Sequence, residues 1–158
     1  MAGPQARIGL ARIVFVVVAV VVFVLDRVTK SLISRNVQYG HEQSVLDHLV
    51  WITNVQNAGA AFGTAPALAS LFLIASGVVS IGLVVYVWRQ PADLPVNTLL
   101  GMILGGTVGN GSDRVMFGTV TDFIDVHFWP IFNVADSAIS IGVALLIAGY
   151  FLRKPAAA

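Results

Sequence analysis

The chain has 158 residues, of which 57% are hydrophobic and only 11% charged, and its mean hydropathy is +0.86; this argues against a water-facing surface and makes lipid the expected solvent. Nine Lys and Arg against eight Asp and Glu leave a net charge of +1, without the clustered basic excess that phosphate contacts demand, so nucleic acid is not an expected partner. With no cysteine, a disulfide framework, a thiolate metal site and a cysteine nucleophile are all excluded.

Arg7 and Arg12 precede the apolar run 13–25 as they would in a secretory signal, but Asp26-Arg27 stands where a small-residue cleavage site belongs. The segment therefore reads as an uncleaved signal anchor. A helix needs about 20 residues to cross a bilayer, and four segments approach this: about 10–33, 67–88, 94–113 and 134–152. The second carries nothing more polar than Ser and Tyr, and the fourth is equally apolar after Asp136. The first has an uninterrupted run worth only about 20 Å of helix, so it spans only if Asp26 or Arg12 enters the membrane region. The third ends in Gly109-Asn110-Gly111-Ser112-Asp113-Arg114. Its Gly101, Gly105, Gly106 and Gly109 strip side chains from one face, a signal for close helix packing that also lets backbone approach a substrate.

With the N-terminus inside, Arg7, Arg12, Arg89, Arg153 and Lys154 are cytoplasmic, while Arg27, Lys30, Arg35 and Arg114 lie outside or at the outer boundary. Both termini are then cytoplasmic and the longer connections, about 34–66 and 114–133, face the exterior. The turn around Gln90-Pro91-Ala92-Asp93 faces the cytoplasm. In the first outer connection, Leu49-Val50-Trp51-Ile52-Thr53-Asn54-Val55-Gln56 is rich in strand formers and ends at the turn-prone Asn57-Ala58-Gly59, which predicts a short strand or small sheet. Trp51, Phe123, Phe128 and Trp129 suit the headgroup level, and His41 and His48 read as solvated or interfacial.

Ionisable groups inside a membrane are costly and are functional candidates by default. Asp26 and Lys30 lie four apart on one helix face in the favourable order and read as an ion pair that seats the first span. Asp113 closes the third span and Asp136 opens the fourth, at the same depth. Taken singly, Asp113 pairs with Arg114 or Lys30, and Asp136 caps the fourth helix. Taken together they predict a catalytic dyad: two carboxylates in contact share one proton, so one acts as base towards a water and the other as acid towards a scissile carbonyl. Asn57, Asn110, Asn133 and Arg114 are expected to bind substrate backbone or steady that pair. Asp122, Asp125 and His127, read as an irregular loop without a second histidine, make a weak metal signature, so no metal or other cofactor is expected.

Five blocks in order carry a family resemblance: Asp26 with Thr29-Lys30; Asn57-Ala58-Gly59-Ala60-Ala61-Phe62; Gly105-Gly106 with Gly109-Asn110-Gly111-Ser112-Asp113-Arg114; Val120-Thr121-Asp122-Phe123; and Phe132-Asn133-Val134-Ala135-Asp136-Ser137. In these the sequence resembles lipoprotein signal peptidases, the type II signal peptidases of bacteria, over nearly its whole length. The resemblance implies an all-α membrane protein, a single integral domain over 1–158, with four transmembrane helices, a small extracytoplasmic β-cradle and a mobile periplasmic surface helix from the first outer connection. It carries the catalytic pair onto Asp113 and Asp136, support onto Asn57, Gly59, Asn110, Arg114, Asn133 and Ala135, and structural roles onto Asp26 and Lys30; Asp122 falls in a family block but outside the dyad. The implied activity is that of an aspartic endopeptidase of the bacterial inner membrane, which removes the signal peptide from diacylglyceryl-modified prolipoproteins just before the lipidated cysteine and is inhibited by globomycin. Membrane lipid is the implied surrounding and a monomer the expected state. Gly111-Ser112 departs from the larger residues often found there. The competing reading is a small multi-pass transporter or channel, whose acids should trace a path; here the acids of the third and fourth spans gather at the outer end and the second span holds no charged group.

Overall fold

The computed structural model describes residues 4–47, 49–59, 66–91 and 93–152. His48, Ala92, Arg153, Lys154 and the Ala60-Ala61-Phe62 part of the second block lie outside them. The element order is α1 (Pro4–Asn36), β1 (Glu42–Leu46), β2 (Val50–Asn57), α2 (Pro66–Arg89), α3 (Leu94–Phe117), β3 (Val120–Asp125) and α4 (Val134–Leu152).

Three of the helices, α1, α2 and α4, are long and apolar enough to cross a membrane. Their outward faces are apolar, with Val17, Val20, Val24, Ile74, Val78, Ile81, Ile141 and Ile147 all exposed, an arrangement that is stable where the surrounding solvent is hydrocarbon. No breaker interrupts α1 before Asn36, whose Nδ2 bonds back to the carbonyl of Leu32 at 2.7 Å; its 33 residues make about 50 Å of helix. Among the described residues between α1 and α2 there is no separate surface helix of the kind expected there; the chain passes from α1 into β1.

The helix α3 is the hub, packed against α1, α2 and α4. Asp93 caps its start by accepting from the amide of Val96 at 3.2 Å. It ends at Gly118, whose φ of 74° places it in the left-handed region that glycine enters without penalty. That end lies one turn beyond Asp113, so Asp113 sits inside the helix rather than at its tip as the sequence pattern suggested. The glycine stripe acts in packing: a Cβ on Gly105 would lie 2.5 Å from the Ala19 carbonyl of α1, and one on Gly106 would lie 2.5 Å from the Ala135 carbonyl of α4. Close backbone approach on both sides replaces a large apolar core between these helices. At the opposite end, buried Phe15, Val87 and Leu100 form a small cluster, and Arg12 donates to the Trp88 carbonyl at 2.8 Å.

The expected small sheet is present as three antiparallel strands in the order β1-β2-β3. Residues 120–125, read from sequence as an irregular loop, are its third strand, and nearly all of β3 is buried. The register sets Trp51 opposite Asp125, Val55 opposite Asp122 and Asn57 opposite Val120, with an irregularity between Ile52 and Val55. β3 packs against α1 and α3, which holds the sheet over the ends of the helices where the polar residues collect. β1, exposed along its length, is an edge strand.

Candidate active site

Three elements, α3, β3 and α4, converge on Asn133, which is fully buried. It begins α4 through a reciprocal cap: its Oδ1 accepts from the Asp136 amide at 2.9 Å, while Asp136 Oδ2 accepts from the Asn133 amide at 3.2 Å. Two otherwise unpaired helix amides are satisfied in this way, and a carboxylate is placed at the positive end of α4. The Asn133 Nδ2 group then donates to Asp122 Oδ1 at 2.6 Å and to Asn110 Oδ1 at 3.1 Å. One side chain thereby ties the first turn of α4 to β3 and α3.

Asp122 is gripped from both sides, because Asn57 at the end of β2 donates to its Oδ2 at 2.8 Å. The Asn57 Oδ1 in turn accepts from the Gly59 amide at 2.8 Å. Gly59 has a φ of +101°, a conformation other residues avoid. Burial pushes the Asp122 carboxyl up to about 6; the two asparagine hydrogen bonds oppose the rise, and the charge of Asp136 adds to it. Asp136 receives a second side-chain bond from Asn110 Nδ2 at 2.7 Å, and borders an open groove of about 380 Å³ whose other walls include Val126, Phe128, Phe132 and Ile141.

Beneath this pair lies an ion network. Lys30 Nζ forms ion pairs with Asp26 Oδ2 and Asp113 Oδ2, each at 2.8 Å, and donates to Asn110 Oδ1 at 2.7 Å. Asp113 Oδ1 accepts from Arg27 Nη1. Asp26 Oδ1 accepts from the buried amide of Ala135 at 3.1 Å. Its carboxylate fits only because Gly109 has no side chain: a Cβ there would be 2.7 Å from Asp26 Oδ2. With both cations and both acids charged the cluster is neutral, the condition under which burial of so many ionic groups is tolerable.

The sequence-selected residues Asp26, Lys30, Asn57, Asn110, Asp113, Asn133, Ala135 and Asp136 thus gather in one region, with Gly59 at its edge. Arg114 sits apart, its guanidinium 5.3 Å over the Phe72 ring and its Nη1 3.4 Å from the Asn110 carbonyl, while feeling the charges of Asp136 and Asp122. Two participants went unselected: Arg27, and Asp122 as a partner of Asp136. Among the described residues, Asp113 reaches Asp136 through Lys30 and Asn110, whereas Asp122 and Asp136 share direct bonds to Asn133. No local pattern signals this, because Asp122 reaches the site through pairing of β3 with the distant β2. Nor does Asp122 join Asp125 and His127, which lie instead beside Glu42.

Both sequence and architecture have counterparts of known description. The lipoprotein signal peptidase of Halothermothrix orenii is 38% identical over 131 residues, covering 83% of this chain and 90% of that protein. The lipoprotein signal peptidase of Syntrophomonas wolfei is 42% identical over 127 residues, covering 80% and 85%. Two solved structures of a bacterial membrane enzyme superpose with TM-scores of 0.81 and 0.82 at 32% and 33% identity, covering about nine-tenths of each chain. The sequence pattern of signal peptidase (SPase) II matches residues 18–152, a span that takes in every residue of the polar cluster, and on that ground the chain belongs to the signal peptidase II family.

Proposed function

We propose that this protein is an aspartic endopeptidase that cleaves the signal peptide from diacylglyceryl-modified prolipoproteins, and that its working pair is Asp122 and Asp136. The observation that carries the pairing is Asn133, which bonds Asp122 Oδ1 and Asp136 Oδ2 at once. Asp113, the partner expected from sequence, has both oxygens occupied by Arg27 and Lys30. A carboxylate so held is a poor proton carrier, because neutralising it would leave buried Lys30 and half-buried Arg27 with Asp26 alone as counter-charge.

Asp122 and Asp136 share one proton and titrate as a unit. The ionised member takes a proton from water as the water oxygen attacks the scissile carbonyl carbon, and the neutral member gives its proton to the carbonyl oxygen. Collapse of the tetrahedral intermediate breaks the C–N bond: the departing nitrogen receives the proton that the first carboxylate took from water, while the second recovers a proton from a hydroxyl of the intermediate, so the pair returns to its starting state. Asn57, Asn110 and Asn133 orient the two carboxylates through the bonds described above. The apolar groove beside Asp136 suits the hydrophobic part of a membrane-held substrate, and a lipidated peptide presents its cleavage point at that level.

In this reading α3 is the fourth span, carried across by its contacts with the other three although its own polar residues leave it no spanning-length stretch as apolar as theirs. The N- and C-termini face the cytoplasm, the sheet and the dyad face outward from the bacterial inner membrane, and the protein acts as a monomer open to globomycin-type inhibitors. The experiment is cleavage of a purified diacylglyceryl-prolipoprotein by the parent and by Asp122→Asn, Asp136→Asn and Asp113→Asn, with and without globomycin. The first two lose cleavage while remaining folded; normal turnover in either sinks the pairing.

A further inference from the structure

A second group of donor side chains lies on the sheet, away from the dyad. Glu42 of β1 stands opposite Thr53, and Asp125 of β3 stands opposite Trp51; Trp51 and Thr53 are two apart on β2, so both acids share one face of the sheet. His127, just past β3, completes the group: its Nε2 is 3.5 Å from Asp125 Oδ2 and 3.7 Å from Glu42 Oε2. One donor atom from each residue falls within 4.8 Å of the others.

These separations are long for hydrogen bonds. They come close to the edge of a zinc coordination tetrahedron, where bonds of ~2.0–2.2 Å set ligand atoms about 3.4 Å apart. The group is also held in place. The Asp125 side chain is only 9% exposed; its Oδ1 accepts from the His127 amide at 2.7 Å, which leaves Oδ2 facing the imidazole. The His127 ring stacks on Trp51 with centroids 3.7 Å apart and planes 19° from parallel, so Nε2 points along the sheet towards the carboxylates. Glu42 and His127 are half-exposed, leaving room for water in the remaining position.

We propose that Glu42, Asp125 and His127 form a site for a divalent transition cation, zinc above all, which fastens edge strand β1 to β3 across β2. One imidazole with two carboxylates suits zinc better than magnesium or calcium, which prefer all-oxygen shells. The site is separate from the catalytic pair, since both oxygens of Asp122 are engaged by Asn133 and Asn57.

The test uses the full chain, purified without a polyhistidine tag in detergent micelles, and titrated with zinc chloride or magnesium chloride. Bound metal is counted by elemental analysis after desalting, and thermal unfolding is followed with and without zinc. One zinc per chain, no magnesium, and a zinc-dependent rise in Tm are expected. His127→Ala abolishes retention, and Glu42→Gln weakens it on the order of tenfold or more; neither side chain is buried, so the variants fold without zinc as the parent does. Retention no greater than that of empty micelles overturns the assignment, as does equal retention by the parent and the Glu42→Gln variant.

Discussion

Replacing Asp122 by Asn separates its two roles, as acid and as buried acceptor. The change keeps the shape and the oxygen that faces one asparagine, but turns the second oxygen into an amide donor that meets the Nδ2 of Asn57 or Asn133, now 2.8 and 2.6 Å away. One mismatched buried contact costs about 1–3 kcal/mol. Against this stands the cost the parent bears when Asp122 ionises. Its carboxyl, raised from 3.8 to about 6, contributes stability that is complete below pH 4 and is lost as pH rises through 6, by at most about 3 kcal/mol for a buried group. The variant has no such loss. Its Tm relative to the parent is therefore lowest near pH 4 and climbs between pH 4 and 7, ending close to parity. Cleavage of a lipidated prolipoprotein falls by on the order of 10³-fold or more at every pH, since acid–base catalysis alone supplies roughly 10²–10⁴-fold. A Tm difference independent of pH would show that Asp122 does not titrate in the folded protein, and parental turnover would refute its place in the dyad.

Asp113→Asn leaves Arg27 and Lys30 short of a counter-charge and lowers stability by about 3–5 kcal/mol, but turnover per folded molecule falls far less than in Asp122→Asn; complete loss in well-folded protein restores Asp113 as catalyst. Gly109→Ala drives a methyl against Asp26 Oδ2 and costs about 1–3 kcal/mol, read as a fall in Tm, and an unchanged Tm means that the carboxylate has room to move. Chelators leave cleavage intact even as they strip any zinc from the sheet, because the proposed chemistry needs only water and two carboxylates; activity lost to chelation and recovered with zinc contradicts this. A reporter fused after Ala158 behaves as cytoplasmic, and activity on the outer side reverses the orientation.

Much of this was legible in the sequence because it is local. Apolar length marks the helices, and the i, i+4 spacing of Asp26 and Lys30 predicts their ion pair without reference to anything distant. The fit of Asp136 to the first turn of α4 is equally local, three residues after Asn133. The glycines of α3 announce close packing, though not which neighbour each one meets. Tertiary structure decided the rest. The alternation in Val120-Thr121-Asp122-Phe123 is too short to declare a strand by itself; it becomes β3 only when β2, some 65 residues earlier, supplies its hydrogen-bond partners. That pairing carries Asp122 to Asn57 and Asn133, and the same sheet brings Glu42 to Asp125 and His127. Asp113, which depth along the chain sets level with Asp136, faces instead the cations of α1, because rotation about a helix axis, unlike depth, depends on which helices pack against it.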